Sequence, residues 1–151
     1  MNAKGFTLIE LMIAVAVIAI MASIAYPNYT QFLLKNNESL VQTRLLELSQ
    51  ALEKHKSKNF SYKGFPISAE EVGDPKKYTI TIVGSVSNSG GTETITQLTS
   101  SGSGWIMKAI PEDARNYTYL FNSSGAKCRN KLASKVTYLT CGGASDGKED
   151  W

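Results

Sequence analysis

The sequence predicts an α+β fold, in which a long N-terminal helix packs on an antiparallel β-sheet of roughly four strands. Three patterns indicate this class. Residues 6–25 are almost all apolar, the next thirty residues keep helical spacing, and the second half of the chain holds short alternating segments between turn residues. With 151 residues, the chain has room for one domain of ordinary size and an appendage.

The apolar block at the N-terminus is long enough to cross a membrane. Twenty helical residues rise about 30 Å, which is roughly the thickness of the hydrocarbon core of a bilayer. A cleaved secretory signal is the alternative, because residues 22–25 weakly imitate a small-residue cleavage site. Helical patterning continues beyond Ala25, so cleavage there would discard the first half of the helix.

The helix is expected to continue past the apolar block as an amphipathic segment. Side chains of an apolar stripe recur at steps of four, three, four and three residues: Val41, Leu45, Leu48, Leu52 and His55. Pro27 stands between the two halves and predicts a kink or a local break. The simplest arrangement is one bent helix from about residue 6 to residue 55, with His55 at the rim of the core.

Four later segments are expected to be strands of one sheet, with one face on the amphipathic half of the helix. They lie at residues 78–83, about 93–98, 105–110 and 117–121, and a short fifth strand is an alternative for residues 136–140. The first, YTITIV, alternates strictly between apolar and polar residues. The turn-forming stretches SNSGG, SSGSG and PEDARN separate the strands. Residues 56–77 are expected to form an irregular connection.

Composition leaves few options for catalysis or metal binding. The chain has one histidine, two cysteines and a formal net charge of +3. No GxSxG, GxxxxGK[ST] or HExxH motif is present, so an enzyme is not expected, and no cofactor or metal is predicted. Cys128 and Cys141 form no CxxC pair, and we expect a disulfide if the bulk of the chain lies outside the cytoplasmic membrane.

Glu10 is an unexpected residue inside the apolar run. A carboxylate at that depth in hydrocarbon costs roughly 2–4 kcal/mol on insertion scales unless a cation neutralises it. One explanation is that Glu10 lies near enough to the helix start to be hydrated, where the helix dipole favours an acid. The flanking residues favour another explanation.

The stretch GFTLIELMI, preceded by the leader MNAK and followed by AYPNY, resembles the N-terminus of type IV pilins and related pseudopilins. The resemblance covers the first thirty residues tightly and is architectural beyond them. It implies the type IV pilin fold, in which a long helix packs on an antiparallel sheet and a cysteine pair, here Cys128 and Cys141, brackets the C-terminal segment.

The resemblance also implies how the chain is processed and assembled. A prepilin peptidase would cut between Gly5 and Phe6 and methylate the new amine of Phe6. Glu10 would then lie within reach of that amine on a neighbouring subunit. Attraction between these charges is weakly screened in an apolar bundle, so the pair would fix the register of otherwise featureless helices.

The resemblance to type IV pilins further implies a division of the chain into four segments and a defined set of partners. Residues 1–5 would be the leader, 6–27 the membrane or filament-core half of the helix, 28–56 its amphipathic half and 57–151 a globular head. The partners would be other pilin subunits, the prepilin peptidase, an inner-membrane assembly platform and lipid before assembly. The processed subunit would move from the inner membrane into an extracellular pilus that serves adhesion, motility, aggregation or DNA uptake. The short C-terminal region favours a minor pilin slightly over a major one.

Two alternatives stay within the filament class. A type II secretion pseudopilin shares the same N-terminus, often lacks a disulfide and carries calcium near its C-terminus, where this chain has the acidic stretch DGKED. The second alternative is a minor pilin that binds DNA or a host surface. Four cations of the segment KCRNKLASK would contact the DNA phosphates: Lys127, Arg129, Lys131 and Lys135. Acidic residues later in the chain offset their charge.

Overall fold

The computed structural model describes residues 6–89, 92–100 and 102–151. It confirms the α+β class, with one long helix and an antiparallel sheet. In chain order the elements are α1 (Leu8–Asn59), β1 (Ala69–Val72), β2 (Tyr78–Val83), β3 (Ser85–Ser89), β4 (Thr92–Thr96), β5 (Ile106–Pro111), β6 (Thr118–Asn122) and β7 (Lys127–Asn130), followed by two short 3₁₀ helices (Ala133–Lys135 and Ala144–Asp146). The chain divides into two compact units, residues up to 36 and residues 37–151.

Helix α1 runs without a break through Pro27. Proline removes one backbone donor, but two polar side chains that follow it donate to backbone carbonyls of the same stretch of helix. The side-chain amide of Asn28 donates to the backbone carbonyl of Ile24 at 3.1 Å, and the hydroxyl of Thr30 donates to the backbone carbonyl of Pro27 at 2.9 Å. The predicted single helix is therefore confirmed, and a kink at Pro27 stays a prediction.

The second unit, which we call the globular unit (residues 37–151), is built on a five-stranded antiparallel sheet. Its strand order is β1-β2-β5-β6-β7. The predicted strands at 78–83, 105–110 and 117–121 correspond to β2, β5 and β6. Residues 131–148, which follow β7, include the two 3₁₀ helices and a cysteine of the disulfide described below.

The predicted strand at residues 93–98 is real but does not belong to this sheet, which corrects the expectation of a single sheet. It forms β4 and pairs with β3 in a separate hairpin, with Ser85 opposite Thr96 and Ser89 opposite Thr92. The described residues of both strands are mostly polar and exposed, so the hairpin has little apolar surface to bury. Part of the expected turn SNSGG lies in β3, and its two glycines are outside the described residues.

Three further features of the secondary structure differ from what the sequence indicated. Strand β1 lies inside the connection expected to be irregular, and β7 lies inside the segment KCRNKLASK. Both are edge strands, and short charged edges give a weak strand pattern. Residues 136–140 form no strand; Val136 instead turns inward and is 2% exposed.

The main core lies between α1 and one face of the sheet. The predicted stripe of the helix is confirmed, because Val41, Leu45, Leu48 and Leu52 are at most 1% exposed. Their partners from the inner face of the sheet include Tyr78, Ile80, Ile82, Met107 and Tyr119. Since side chains alternate along a strand, the intervening residues face outward, and Leu120 and Cys128 form a smaller cluster with Val136 and Cys141 there. The sheet thus lies between α1 and the C-terminal segment.

Candidate assembly site

The start of α1 is capped by a side chain. The hydroxyl of Thr7 accepts a hydrogen bond from the backbone N–H of Glu10 at 3.3 Å, which satisfies one of the free donors of the first turn. Thr7 and Glu10 have the spacing of a capping box, S/T-x-x-E. Sequence reasoning missed this role for Thr7, although TLIE carries the signal. Gly5 lies outside the described residues.

The N-terminal half of α1 exposes a continuous apolar surface. Every large apolar side chain from Phe6 to Ile24 is exposed, and the least exposed is Val17 at 45%. By length and composition the helix can cross a bilayer. Soluble proteins rarely expose apolar patches above a few hundred Å². Lipid or other apolar chains are therefore needed to cover this surface.

Glu10 lies on this apolar surface and is exposed in the single chain. Phe6, which would carry the free amine after removal of the leader, is 84% exposed one turn before it. Among the described residues, no ion pair involves Glu10. Glu10 and Phe6 are thus both accessible to a second chain.

The structure brings Arg129 of the basic segment against acidic and aromatic side chains. Its guanidinium lies 2.7 Å from the carboxylate of Glu149 and 3.8 Å from that of Glu38 on α1. It also lies 4.2 Å from the ring centre of Tyr117. Hydrogen bonds from Tyr117 and Arg129 lower the pKa of Glu149 from its ordinary value. Arg129 therefore ties α1, β7 and the chain end together.

The three lysines of the predicted DNA-contact set also have partners inside the chain. Lys127 lies over the rings of Phe121 and Trp151, at 4.8 and 5.0 Å from their centres. Lys131 lies 5.1 Å from the ring centre of Tyr117. Lys135 pairs with Asp146 at 3.1 Å, and a backbone hydrogen bond from Gly143, followed by the contact with Lys135, lowers the pKa of that acid.

Cys128 and Cys141 form the expected disulfide, with 6.0 Å between their Cα atoms. Asn130, which is 1% exposed, secures the same segment. Its side-chain amide donates to the carbonyls of Cys141 and Asp146 at 2.9 and 3.0 Å and accepts from the N–H of Leu132 at 2.9 Å. Sequence reasoning missed Asn130, because its partners lie up to sixteen positions away.

His55 lies at the rim of the core, as expected. Its Nε2 atom is 3.1 Å from the carbonyl oxygen of Lys63, and its ring meets Phe65 edge-on at 5.7 Å. In the described part of the chain, no group of three or more His, Cys, Asp or Glu side chains is placed to hold a metal ion.

Comparison with known proteins points to one family. The family model of the prokaryotic N-terminal methylation motif matches residues 1–26. The chain is 35% identical over 91 residues to the type IV wide pilus major component PilA4 of Thermus thermophilus, covering 58% of this chain and 70% of that protein. It is 43% identical over 70 residues to the type IV major pilin protein PilA of Myxococcus xanthus, covering 46% and 30% of the two chains.

A shorter match is to the type IV major fimbrial protein FimA of Dichelobacter nodosus, with 46% identity over 50 residues, 33% of this chain and 32% of that protein. The matched part therefore spans about a third of the length of the Myxococcus and Dichelobacter proteins and 70% of the Thermus protein. No solved structure matches the chain.

A capped helix with an exposed apolar half, whose second half packs on an antiparallel sheet, defines a class of subunits that present the helix to lipid or to other apolar chains. Within that class, the match with the Thermus protein covers most of the relative at more than 30% identity. This chain belongs to the type IV pilin family.

Proposed function

We propose that the chain is a structural subunit of a type IV pilus, built into a helical filament through its N-terminal helix. The observation that carries the proposal is the apolar surface of residues 6–25, which is exposed throughout and holds a single carboxylate, Glu10. Lipid covers it before assembly, and the helices of other subunits cover it afterwards. The proposed path runs from the inner membrane to an extracellular pilus.

We propose that a prepilin peptidase cuts between Gly5 and Phe6 and that the amine of Phe6 becomes methylated. The match of residues 1–26 to the N-terminal methylation motif supports this step. On this proposal residues 1–5 are a leader, 6–27 the filament core, 28–56 the amphipathic half of the helix and 57–151 the head. The assembly platform of the inner membrane is the further partner proposed.

The proposed role of Glu10 is to pair with the Phe6 amine of a neighbouring subunit. Residues 6–25 hold no other charged side chain, so the pair is the specific contact that selects one register. The low dielectric strengthens the attraction, and either charge left alone would be costly. Removal of the leader creates the amine, so processing and assembly are coupled.

Replacing Gly5 with a bulky residue tests the processing step. Gly5→Val should accumulate as the uncut precursor, five residues longer than the mature chain, and should be absent from sheared filaments. Intact-mass measurement of the wild type and of the Gly5→Val variant, each isolated from the native host, shows directly whether residues 1–5 have been removed. A wild-type chain that keeps the mass of its first five residues would refute the cleavage, and a Gly5→Val chain shortened to the mature mass would show that Gly5 is not needed for it.

The relatives described above are named major components, which favours a shaft subunit over the minor role that the short C-terminal region suggested. The two roles differ in copy number. Deletion should abolish filaments if the subunit builds the shaft and reduce their number if it is minor. Quantifying the chain in sheared pili against total protein distinguishes these outcomes, and scoring motility, aggregation and transformation shows which task the filament serves.

A further inference from the structure

The first two tyrosines of the chain come directly after its apolar block. Tyr26 and Tyr29 are 73% and 61% exposed, and they share one side of α1 because residues three apart are neighbours on a helix. Within the described residues, neither hydroxyl has a hydrogen-bond partner. Each side chain therefore presents an apolar ring and a free polar tip to the surroundings of the helix.

Charge alone does not fix where a membrane boundary crosses this helix. After Glu10 the next charged residue is Lys35, so residues 11–34 carry no charge. As a helix this stretch rises about 36 Å, which exceeds the roughly 30 Å of a hydrocarbon core. The uncharged stretch thus fits a bilayer at several depths, and another feature has to select one of them.

Polar side chains narrow the position of the boundary. In hydrocarbon every polar group needs a partner within the protein. Ser23 meets this condition, because its hydroxyl donates to the backbone carbonyl of Ile20 at 2.7 Å. Gln31 does not, because its side chain is exposed and its amide has no partner among the residues that the structure describes. The boundary therefore lies between residues 23 and 31, where the two tyrosines are.

Tyrosine favours this boundary for a physical reason. Its ring prefers the apolar side, and its hydroxyl finds hydrogen-bond partners in the headgroup layer. With Tyr26 at the edge of the hydrocarbon core, Tyr29 lies about 4.5 Å further out, within a headgroup layer of roughly 5–7 Å. Both tyrosines then have the environment that suits them.

A boundary at Tyr26 also sets the depth of the other end of α1. Glu10 lies about 24 Å from Tyr26 along the helix axis, so it is roughly 6 Å inside the opposite boundary of the hydrocarbon core. Leu8, the first helical residue, is about 3 Å inside it. An acid about one turn from headgroup water costs less than one at the middle of the bilayer.

We propose that Tyr26 and Tyr29 bind the headgroup layer of a phospholipid bilayer and hold α1 at this depth before assembly. The proposal rests on the membrane stage of the function proposed above. It gives the partner of this surface, a lipid headgroup boundary, and it explains how the cost of Glu10 is limited before assembly. The need of Glu10 for the Phe6 amine of another chain then arises when the subunit leaves the bilayer.

The first test measures depth with a nitroxide spin label at position 24 of the full chain. Ile24 is 63% exposed, and Ile24→Cys supplies one free thiol because the two native cysteines are joined in a disulfide. In vesicles of phosphatidylethanolamine and phosphatidylglycerol, the accessibility of the label to oxygen and to a water-soluble nickel chelate reports its depth. We expect a label about 3 Å inside the hydrocarbon core. A label nearer to 15 Å, the depth that a boundary at Leu34 gives, overturns the proposal.

The second test changes the tyrosines in the labelled chain. Tyr26→Leu with Tyr29→Leu removes both polar tips and keeps the helix apolar, so the label should move several Å towards the middle of the bilayer. Tyr26→Trp with Tyr29→Trp keeps side chains that favour the boundary and should leave the label in place. Phe32→Leu changes an aromatic residue that is 66% exposed beyond the boundary, and it should have no effect. A label that stays in place in the leucine pair, or moves as far in either control, overturns the proposal.

The third test reads the consequence in the native host. A shift of α1 by several Å displaces Phe6 from the boundary, so the leucine pair should accumulate uncut precursor several-fold above wild type, and Phe32→Leu should not. Equal precursor in the leucine pair and the wild type overturns the role of the tyrosines before assembly. A wild-type chain that is never cut overturns the proposed processing alone, since the vesicle measurement needs neither cleavage nor filaments.

Discussion

Arg129 and Glu149 are joined by both main chain and side chain. Their backbones exchange two hydrogen bonds, with N–O distances of 2.8 and 3.0 Å, and the guanidinium lies 2.7 Å from the carboxylate. The end of the chain thus adds one residue pair to the open edge of β7 and covers it. A cation that the sequence offered as a phosphate contact thus has partners within the chain itself.

Replacing Arg129 with alanine should destabilise the globular unit by about 1–3 kcal/mol. Its side chain is only 24% exposed, and the change leaves Glu38 and Glu149 without their shared cation. Chemical unfolding of the full chain in detergent, followed by tryptophan fluorescence, measures this. Lys148→Ala removes the same charge from an exposed position and should have little effect. Equal losses for the two variants would contradict the role of Arg129.

The contact of the chain end should weaken in acid. Hydrogen bonds from Tyr117 and then Arg129 hold the pKa of Glu149 below its ordinary value of 4.5. A lowered folded-state pKa contributes stability above the unfolded value, and this contribution is lost as pH falls through the folded value. We therefore expect Trp151 to become more exposed below about pH 4.5. Glutamine at position 149 cannot titrate, so Glu149→Gln should show a weaker pH dependence in a fluorescence quenching titration; an unchanged profile would count against the coupling.

Asn130→Ala should cost roughly 2–4 kcal/mol of stability, because three backbone groups lose their partner. Asn130→Asp should be worse at neutral pH, because it turns a carboxylate oxygen towards the carbonyls of Cys141 and Asp146. That extra penalty should grow as pH rises above about 4, where the carboxyl ionises in the unfolded chain. Denaturation at pH 7 and pH 3 compares the two variants. If aspartate were tolerated as well as asparagine, the donor role assigned to this amide would be wrong.

The disulfide should contribute about 3 kcal/mol, as expected for a loop of this length in the chain-entropy model. Replacing both Cys128 and Cys141 with serine should lower the denaturation midpoint by a matching amount. Reduction should lower the midpoint of the wild type and leave the double variant unchanged. If the reductant lowered the denaturation midpoint of both proteins equally, its effect would not come from breaking this disulfide.

The sequence was sufficient where local spacing decides the structure. The steps from Val41 to Leu52 predicted the buried helix face, and alternation predicted β2, because each pattern follows from the geometry of one element. Strand β7 was missed because two of its four residues, Lys127 and Arg129, are cations, which leaves no alternation of apolar and polar residues to recognise. The separate hairpin of β3 and β4 was missed because strand patterning alone does not show which strands pair.

The candidate sites show the same division. Glu10, Phe6 and the cysteine pair were visible in the sequence, and TLIE contained the cap of Thr7. The partners of Arg129 were not visible, because Glu38 is ninety-one positions away and the fold alone brings it to β7.

The pairing of Glu10 with the Phe6 amine of a neighbouring chain is the central claim. Its most direct measurement is the amount of mature Glu10→Val in sheared filaments relative to the amount in the membrane, compared with Glu47→Val, which removes an exposed acid outside the apolar block. We predict that Glu10→Val is inserted and processed but nearly absent from filaments, while Glu47→Val enters them as the wild type does. Normal incorporation of Glu10→Val would contradict the account.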